Sequence, residues 1–183
     1  MTSDSVYDPP DIAELASLFF PRLDALGRFE PVTEQALSRA YRSLLAHDDH
    51  MTVTIEAIHN SLVDVHVLDV HQDGDIYARK ILLTRQKDGA VVLFGIMRMD
   101  LSQVDEEVRR EIEEKGTPLG RILIRHHVMR HVELDGLYRV APGDDLQTLL
   151  EIGDGTETYG RTARIHVAGR PAVQLLEIVA PIS

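Results

Sequence analysis

Alternation of apolar and polar residues with a period of two, repeated on both sides of an Asp-Gly turn, constrains this chain more than any other feature. The segments IYARKILLTR (76–85) and AVVLFGIMRM (90–99) are joined by Lys87-Asp88-Gly89, which predicts an antiparallel hairpin. The same period runs through Val53, Ile55 and Ala57 against Thr54 and Glu56, and through Val63, Val65 and Val67 against Asp64 and His66. Together these predict two more strands turning at Asn60-Ser61. Further on, HHVMRHVEL reads as a strand, and TYGRTARIHVA and PAVQLLEIVA flank the turn Gly169-Arg170-Pro171. Helical spacing marks DIAELASLFF, the run from Thr33 as N-cap to about His47, SQVDEEVRREIEEKG between a capping Ser102 and a left-handed Gly116, and TPLGRIL with Thr117 as N-cap and Pro118 first in the helix. Residues 141–157 read as a loop and residues 1–10 as unstructured. The expected fold class is α+β: a single antiparallel sheet of about six strands flanked by helices, in one domain spanning 1–183.

Composition narrows the chemistry. The 183 residues contain no cysteine, so disulfides, thiolate nucleophiles and cysteine-metal sites are excluded, and function falls to oxygen and nitrogen side chains. Nineteen basic residues against thirty acidic ones give a formal charge of -11, which opposes nucleic acid and anionic membranes as partners. No apolar leader or membrane-length stretch is present, so a cytoplasmic protein is expected. Nine histidines raise the question of a metal, but His47-Asp48-Asp49-His50 and the trio His126, His127 and His131 lack a convergent third ligand, and no metal or other cofactor is expected. There is no Gly-x-Ser-x-Gly elbow, and GDGTETYG lacks the P-loop lysine.

Strand parity singles out two charges. Tyr77, Arg79, Ile81 and Leu83 share one face of their strand, and Val173, Leu175, Glu177 and Val179 share one face of the last. A guanidinium and a carboxylate thus land on apolar faces, where a charge without a partner costs several kcal/mol, roughly. They either meet a ligand in a shared cavity, form an internal ion pair, or face water because a bulge shifts the parity.

Four pieces in order, LLAHDDHMTVTIE (44–56), YARKILL (77–83), TPLGRIL (117–123) and YGRTARIHVAGRPAVQLLEI (159–178), resemble the chorismate pyruvate-lyase family. That resemblance implies a lyase of aromatic biosynthesis, converting chorismate to 4-hydroxybenzoate and pyruvate on an antiparallel sheet with helical flaps and no cofactor. It implies Arg79 as the grip on the ring carboxylate, Leu119 as a backbone amide beside it, Met51 as a main-chain contact and Glu177 as partner of the ring hydroxyl. Arg79 and Glu177 then become the catalytic pair, with Glu177 an orienting group before it is a proton carrier. Where ubiquinone-pathway members often carry Gly-Arg, this chain has Gly95-Ile96, with Arg98 two residues on. The second carboxylate would therefore fall to Arg161 or Arg164. Two other readings share the same cavity: a non-catalytic module binding a small acid, as in effector domains of certain transcription repressors, and a divergent secondary-metabolism lyase or cyclase. The oligomeric state is open.

Overall fold

The computed structural model describes residues 5–182. Its elements run α1 (Ile12–Ser17), α2 (Leu23–Leu26), β1 (Gly27–Val32), α3 (Arg39–Leu45), α4 (Met51–His59), β2 (Val63–Asp73), β3 (Ile76–Arg85), β4 (Val91–Asp100), α5 (Glu106–Glu113), α6 (Leu119–Arg125), β5 (Arg130–Pro142), α7 (Asp144–Leu150), β6 (Thr158–Val167) and β7 (Arg170–Val179). All seven strands form one antiparallel sheet in the order β1-β5-β6-β7-β4-β3-β2, which confirms the expected fold class with one strand more than predicted. Two meanders, β2-β3-β4 and β5-β6-β7, meet along the β4–β7 seam. Leu93 and Met97 of β4 face α3–α6 on one side, while Phe94 and Ile96 face α1, α2 and α7 on the other. Each face of the central strands is therefore covered by helices, and both sets of side chains read as core.

Several local expectations change. Residues 51–59 form a helix, because the spacing that buries apolar groups is Met51 to Ile55, four apart, while Val53 and Ala57 face water. Asn60 ends that helix in the left-handed conformation (φ 46), its N–H donating to Ala57 and Glu56 carbonyls. Thr33 opens only a 3-10 turn at Glu34–Ala36; the helix after it starts at Arg39, where the Ser38 side chain accepts from the Tyr41 amide. Ser102 lies in a short 3-10 turn held by Asp100, and Lys115 rather than Gly116 takes the left-handed conformation (φ 65). The cap of α6 is Pro118, one residue later than expected. Within 141–157 the chain forms α7, and the final turn is Ala168-Gly169 (φ 50 and 80), so Arg170 and Pro171 already belong to β7.

β1 was not predicted; it is an edge strand carrying Pro31, which the centre of a sheet would not accept. Of the ten N-terminal residues expected to be unstructured, the first four lie outside the described residues. The next six are anchored at points: Val6 and Pro10 are buried, Tyr7 Oη donates to Asp100 (2.7 Å), and Gln174 Nε2 donates to the Asp8 carbonyl (2.7 Å). Gln174 in turn accepts from Arg98 Nε and Nη2 (2.8 and 2.6 Å), whose Nη1 meets Glu14 at 2.6 Å, so a buried polar cluster pins the amino-terminal segment to the outer face. No helix among the described residues is long and apolar enough to cross a membrane.

The helical assignment of 51–59 makes opposite demands on neighbouring aliphatic residues. Ile55→Ala should cost about 2–5 kcal/mol in chemical denaturation. Val53→Ala should stay within about 0.5 kcal/mol. A strand with period-two burial would penalise both.

Candidate functional site

Cross-strand register assembles the floor of a cavity. Ile81 lies opposite Gly95, Gly95 opposite Glu177, and Glu177 opposite Arg161, so these four residues form one row on one face of the sheet. The next row on the same face is Arg79, Met97, Leu175 and Ala163. Gly95 leaves the middle of the first row without a side chain, which hollows the floor between Ile81 and Glu177. The roof is made by the first turns of α4 (His50, Met51, Thr52) and α6 (Pro118, Leu119, Gly120). Gly120 is what lets the two turns come together: a Cβ there would sit 3.2 Å from His50 Cβ and 3.3 Å from Thr52 Oγ1. First-turn N–H groups have no acceptor within their own helix, so amides of Met51, Thr52, Leu119 and Gly120 stand at the cavity rim. The cavity, partly open to solvent, has a volume of about 50 Å³, and its remaining lining is mainly aliphatic, with Leu83, Leu93, Val132 and Ile165. An apolar lining with a few convergent polar groups suits one small organic molecule.

Arg79 and Arg161 are the two largest fully buried side chains, and the structure treats them differently. Arg161 is fully partnered: Nε donates to Glu177 Oε2 (2.7 Å), Nη1 to the His47 carbonyl (2.9 Å) and Nη2 to the Asp49 carbonyl (3.2 Å). Arg79 forms no ion pair among the described residues. Its Nη1 and Nη2 reach the Ile112 and Thr117 carbonyls at 3.5 and 3.4 Å, at the long limit of a hydrogen bond, and its Nε has no partner. Burial pushes its guanidinium below the usual arginine pKa. Two residues before it on the same strand face, the buried Tyr77 hydroxyl lies near the guanidinium without a well-formed hydrogen bond; desolvation raises its pKa, and the Arg79 charge partly opposes that.

His50 completes the wall, and His47 lies behind it against Arg161. His50 is pushed down to about 4 by burial first and by Arg130 and Arg161 next, so it is neutral at pH 7 and its Nε2 accepts from Arg130 Nε (2.6 Å). His47 is also lowered by burial; Nε2 lies 2.8 Å from the Leu44 carbonyl, so Nε2 carries the hydrogen and Nδ1 accepts from the Asp49 amide. Charge counting over Arg79, Arg161 and Glu177 leaves one net positive charge in the cavity. Among the described residues no group of three or more His, Cys, Asp or Glu is placed to hold a metal ion.

All four residues named for the site, Met51, Arg79, Leu119 and Glu177, line this cavity. Arg79 and Glu177 do not pair with one another; Glu177 takes Arg161 instead. Arg164, offered as an alternative to Arg161, points away and binds Asp135 (2.8 Å) and Glu133 (3.2 Å). Ile96 packs in the core of the outer face and Arg98 serves the polar cluster there. Sequence reasoning missed Gly95, Gly120, Thr52 and the wall role of His50. A glycine in the middle of an apolar strand was a readable signal for Gly95.

No protein-family profile matches this chain, and no curated protein matches it by sequence. Solved structures do match in fold. The effector domain of PhnF from Mycobacterium smegmatis superimposes with a TM-score of 0.54 at 11% identity, covering 72% of this chain and 88% of that one. PhnF itself gives a TM-score of 0.53 at 11% identity over 72% of this chain, which spans 63% of the PhnF chain, less than two thirds of its length. A protein described as the ligand-binding domain of a GntR-family transcriptional regulator from Bordetella bronchiseptica gives 0.50 at 12% identity, covering 64% and 85%. These matches correct the resemblance to chorismate pyruvate-lyases, and with it the expected carbon-oxygen lyase, the chorismate-to-4-hydroxybenzoate reaction and the place in aromatic biosynthesis. The four motif pieces map to the sheet and cavity of a shared fold, whose matching members are effector and ligand-binding domains. The cavity agrees with the correction: chorismate carries two carboxylates, and here one guanidinium is unpaired while the other is neutralised by Glu177.

Two consequences are measurable. Glu177→Gln leaves the Arg161 charge buried without its counter-charge, and chemical denaturation should show a loss of about 3 kcal/mol or more. His50 titrates near 4 when folded and near 6.5 when unfolded, so the unfolded state binds the proton first and stability falls as pH drops through that window. The loss should reach about 3 kcal/mol at the acid end, and His50→Gln should flatten the slope in urea titrations between pH 7 and pH 4.

Proposed function

We propose that the cavity binds a small, largely apolar monocarboxylate and that the chain acts as a ligand-binding module. One observation carries this reading: Arg79 is a buried guanidinium with no counter-charge among the described residues and an unpartnered Nε, in a pocket lined mainly by aliphatic groups. An uncompensated buried charge is costly in a resting protein and is repaid when an anion arrives. Arg79 would take the carboxylate through its planar fork, and the Met51 and Leu119 amides at the starts of α4 and α6 would donate to the same group. Glu177, across the hollow left by Gly95, would accept from a donor at the far end of the ligand. The fold likeness to effector and ligand-binding domains supports binding as the task, while the ligand class is argued from this chain's own residues.

Isothermal titration with benzoate, benzamide and terephthalate tests this. Benzoate should bind, benzamide should bind far more weakly for want of charge, and terephthalate should be rejected because its second carboxylate meets Glu177. Arg79→Ala should weaken benzoate by about 2–4 kcal/mol, as for loss of a desolvated charge partner. Arg79→Met, which removes the buried charge but keeps the volume, should abolish binding and leave the ligand-free protein at least as stable as the parent. Equal affinity for benzoate and benzamide, or full affinity in Arg79→Ala, would overturn the proposal.

A further inference from the structure

The sheet has a free edge at β2, and its charges are arranged to match themselves. Only the first residue of the edge is closed: the Val63 amide donates to Glu56, and Arg121, itself paired with Glu56, reaches the Val63 carbonyl. From Asp64 to Asp73 no other segment among the described residues pairs with the outer side of the strand; the Val70 amide is bonded by its neighbour Asp69. Unpaired edges of this length invite a second strand, and proteins commonly spoil them with charges or a bulge. Here both are present, in a pattern that spoiling alone does not require.

Written outward, the segment is Asp64-Val65-His66-Val67-Leu68-Asp69-Val70-His71. Laid antiparallel on a copy of itself about a twofold axis between Val67 and Leu68, it pairs Asp64 with His71, Val65 with Val70 and His66 with Asp69. Every acid meets a histidine, and every valine an aliphatic side chain. In a regular strand such a register would fail, because partners whose numbers differ in parity point to opposite faces. The register shift between Val67 and Asp69 removes the obstacle, since it exchanges the faces at the midpoint. Before it Val65 packs toward the helical roof side; after it Val70 does, while Asp64, His66, Asp69 and His71 are exposed. Leu68, 42% exposed, sits at the centre of the stretch. An apolar centre with polar pairs around it has the layout of an interface.

We propose that β2 is a self-association edge, at which a second copy of this chain adds its own β2 antiparallel and continues the sheet. The seam places His66 against the partner's Asp69 and Asp64 against the partner's His71, each twice by symmetry. For a chain of net charge -11, such local matching is what overcomes general repulsion between copies.

Sedimentation velocity on the full chain over a range of concentrations reads the dimer constant. Dimerisation is expected, and His66→Asp, which sets two carboxylates against each other twice, should weaken it by about tenfold or more. The double swap His66→Asp with Asp69→His restores each pair in reversed order and should recover the parent constant. Leu68→Lys, at an exposed position beside the axis, should dissociate the dimer while the circular-dichroism melt stays unchanged. A chain that remains monomeric at all concentrations would overturn the proposal, and so would a dimer indifferent to His66→Asp and Leu68→Lys, or a double swap no better than the single one.

Discussion

The ion pair between Arg161 and Glu177 is the interaction on which the cavity depends. It joins β6 to β7 in the floor, and the same guanidinium holds the His47 and Asp49 carbonyls, which belong to the segment between α3 and α4. That segment leads directly into the first turn of α4, so the height of the roof above the floor is set by one buried arginine. Without Glu177 the arginine would be an uncompensated charge; without Arg161 the segment would lose the donors that fix it. The pair is also what makes Arg79 distinctive, because it commits the carboxylate of the floor to Arg161 and leaves the second guanidinium without one.

Position in the sheet explains why these charges can be buried at all. The β4–β7 seam is the centre of the sheet and is covered on both faces, so side chains on its inner face are removed from water whatever their type. Gly95 opposes both Ile81 and Glu177, and the missing side chain provides the space that a charged row otherwise lacks. A larger residue there would fill the room between the two ends of the site. The outer face has its own answer to the same problem: Arg98, Gln174 and Glu14 satisfy one another and tie down the amino-terminal segment, leaving no unpaired charge for a ligand.

Parity was the part of the sequence that could be read. Period two placed Arg79 and Glu177 on inward faces correctly, because the central strands are long and their alternation is continuous. The same rule failed at 51–59, where β-branched residues alternate by chance over a helix and the decisive spacing, Met51 to Ile55, spans one turn. It could not give the partner of Glu177 either. Arg161 and Glu177 are set opposite by the β6–β7 register, and the register follows from the turn at Ala168-Gly169 and the shift between Ile165 and His166, neither of which the alternation reveals. Short motifs resembling a lyase family brought Met51, Arg79, Leu119 and Glu177 to one cavity, while the solved structures of matching fold are effector and ligand-binding domains rather than lyases. Motifs of this kind record what a shared sheet and roof need, while activity is decided by which charges are left unpaired.

Arg79 is the one charge of the cavity left without a counter-charge among the described residues, and an anion would supply it. Proton transfer needs a group free to gain or lose a proton within reach of the bound molecule. Glu177 is engaged by Arg161 at 2.7 Å, and His50 has its Nε2 committed to Arg130. Arg79 can neutralise an anion but cannot deprotonate. The cavity therefore offers charge, first-turn amides and apolar contact, a combination suited to holding a small anion, and the spacing from Arg79 across Gly95 to Glu177 bounds the anion's length.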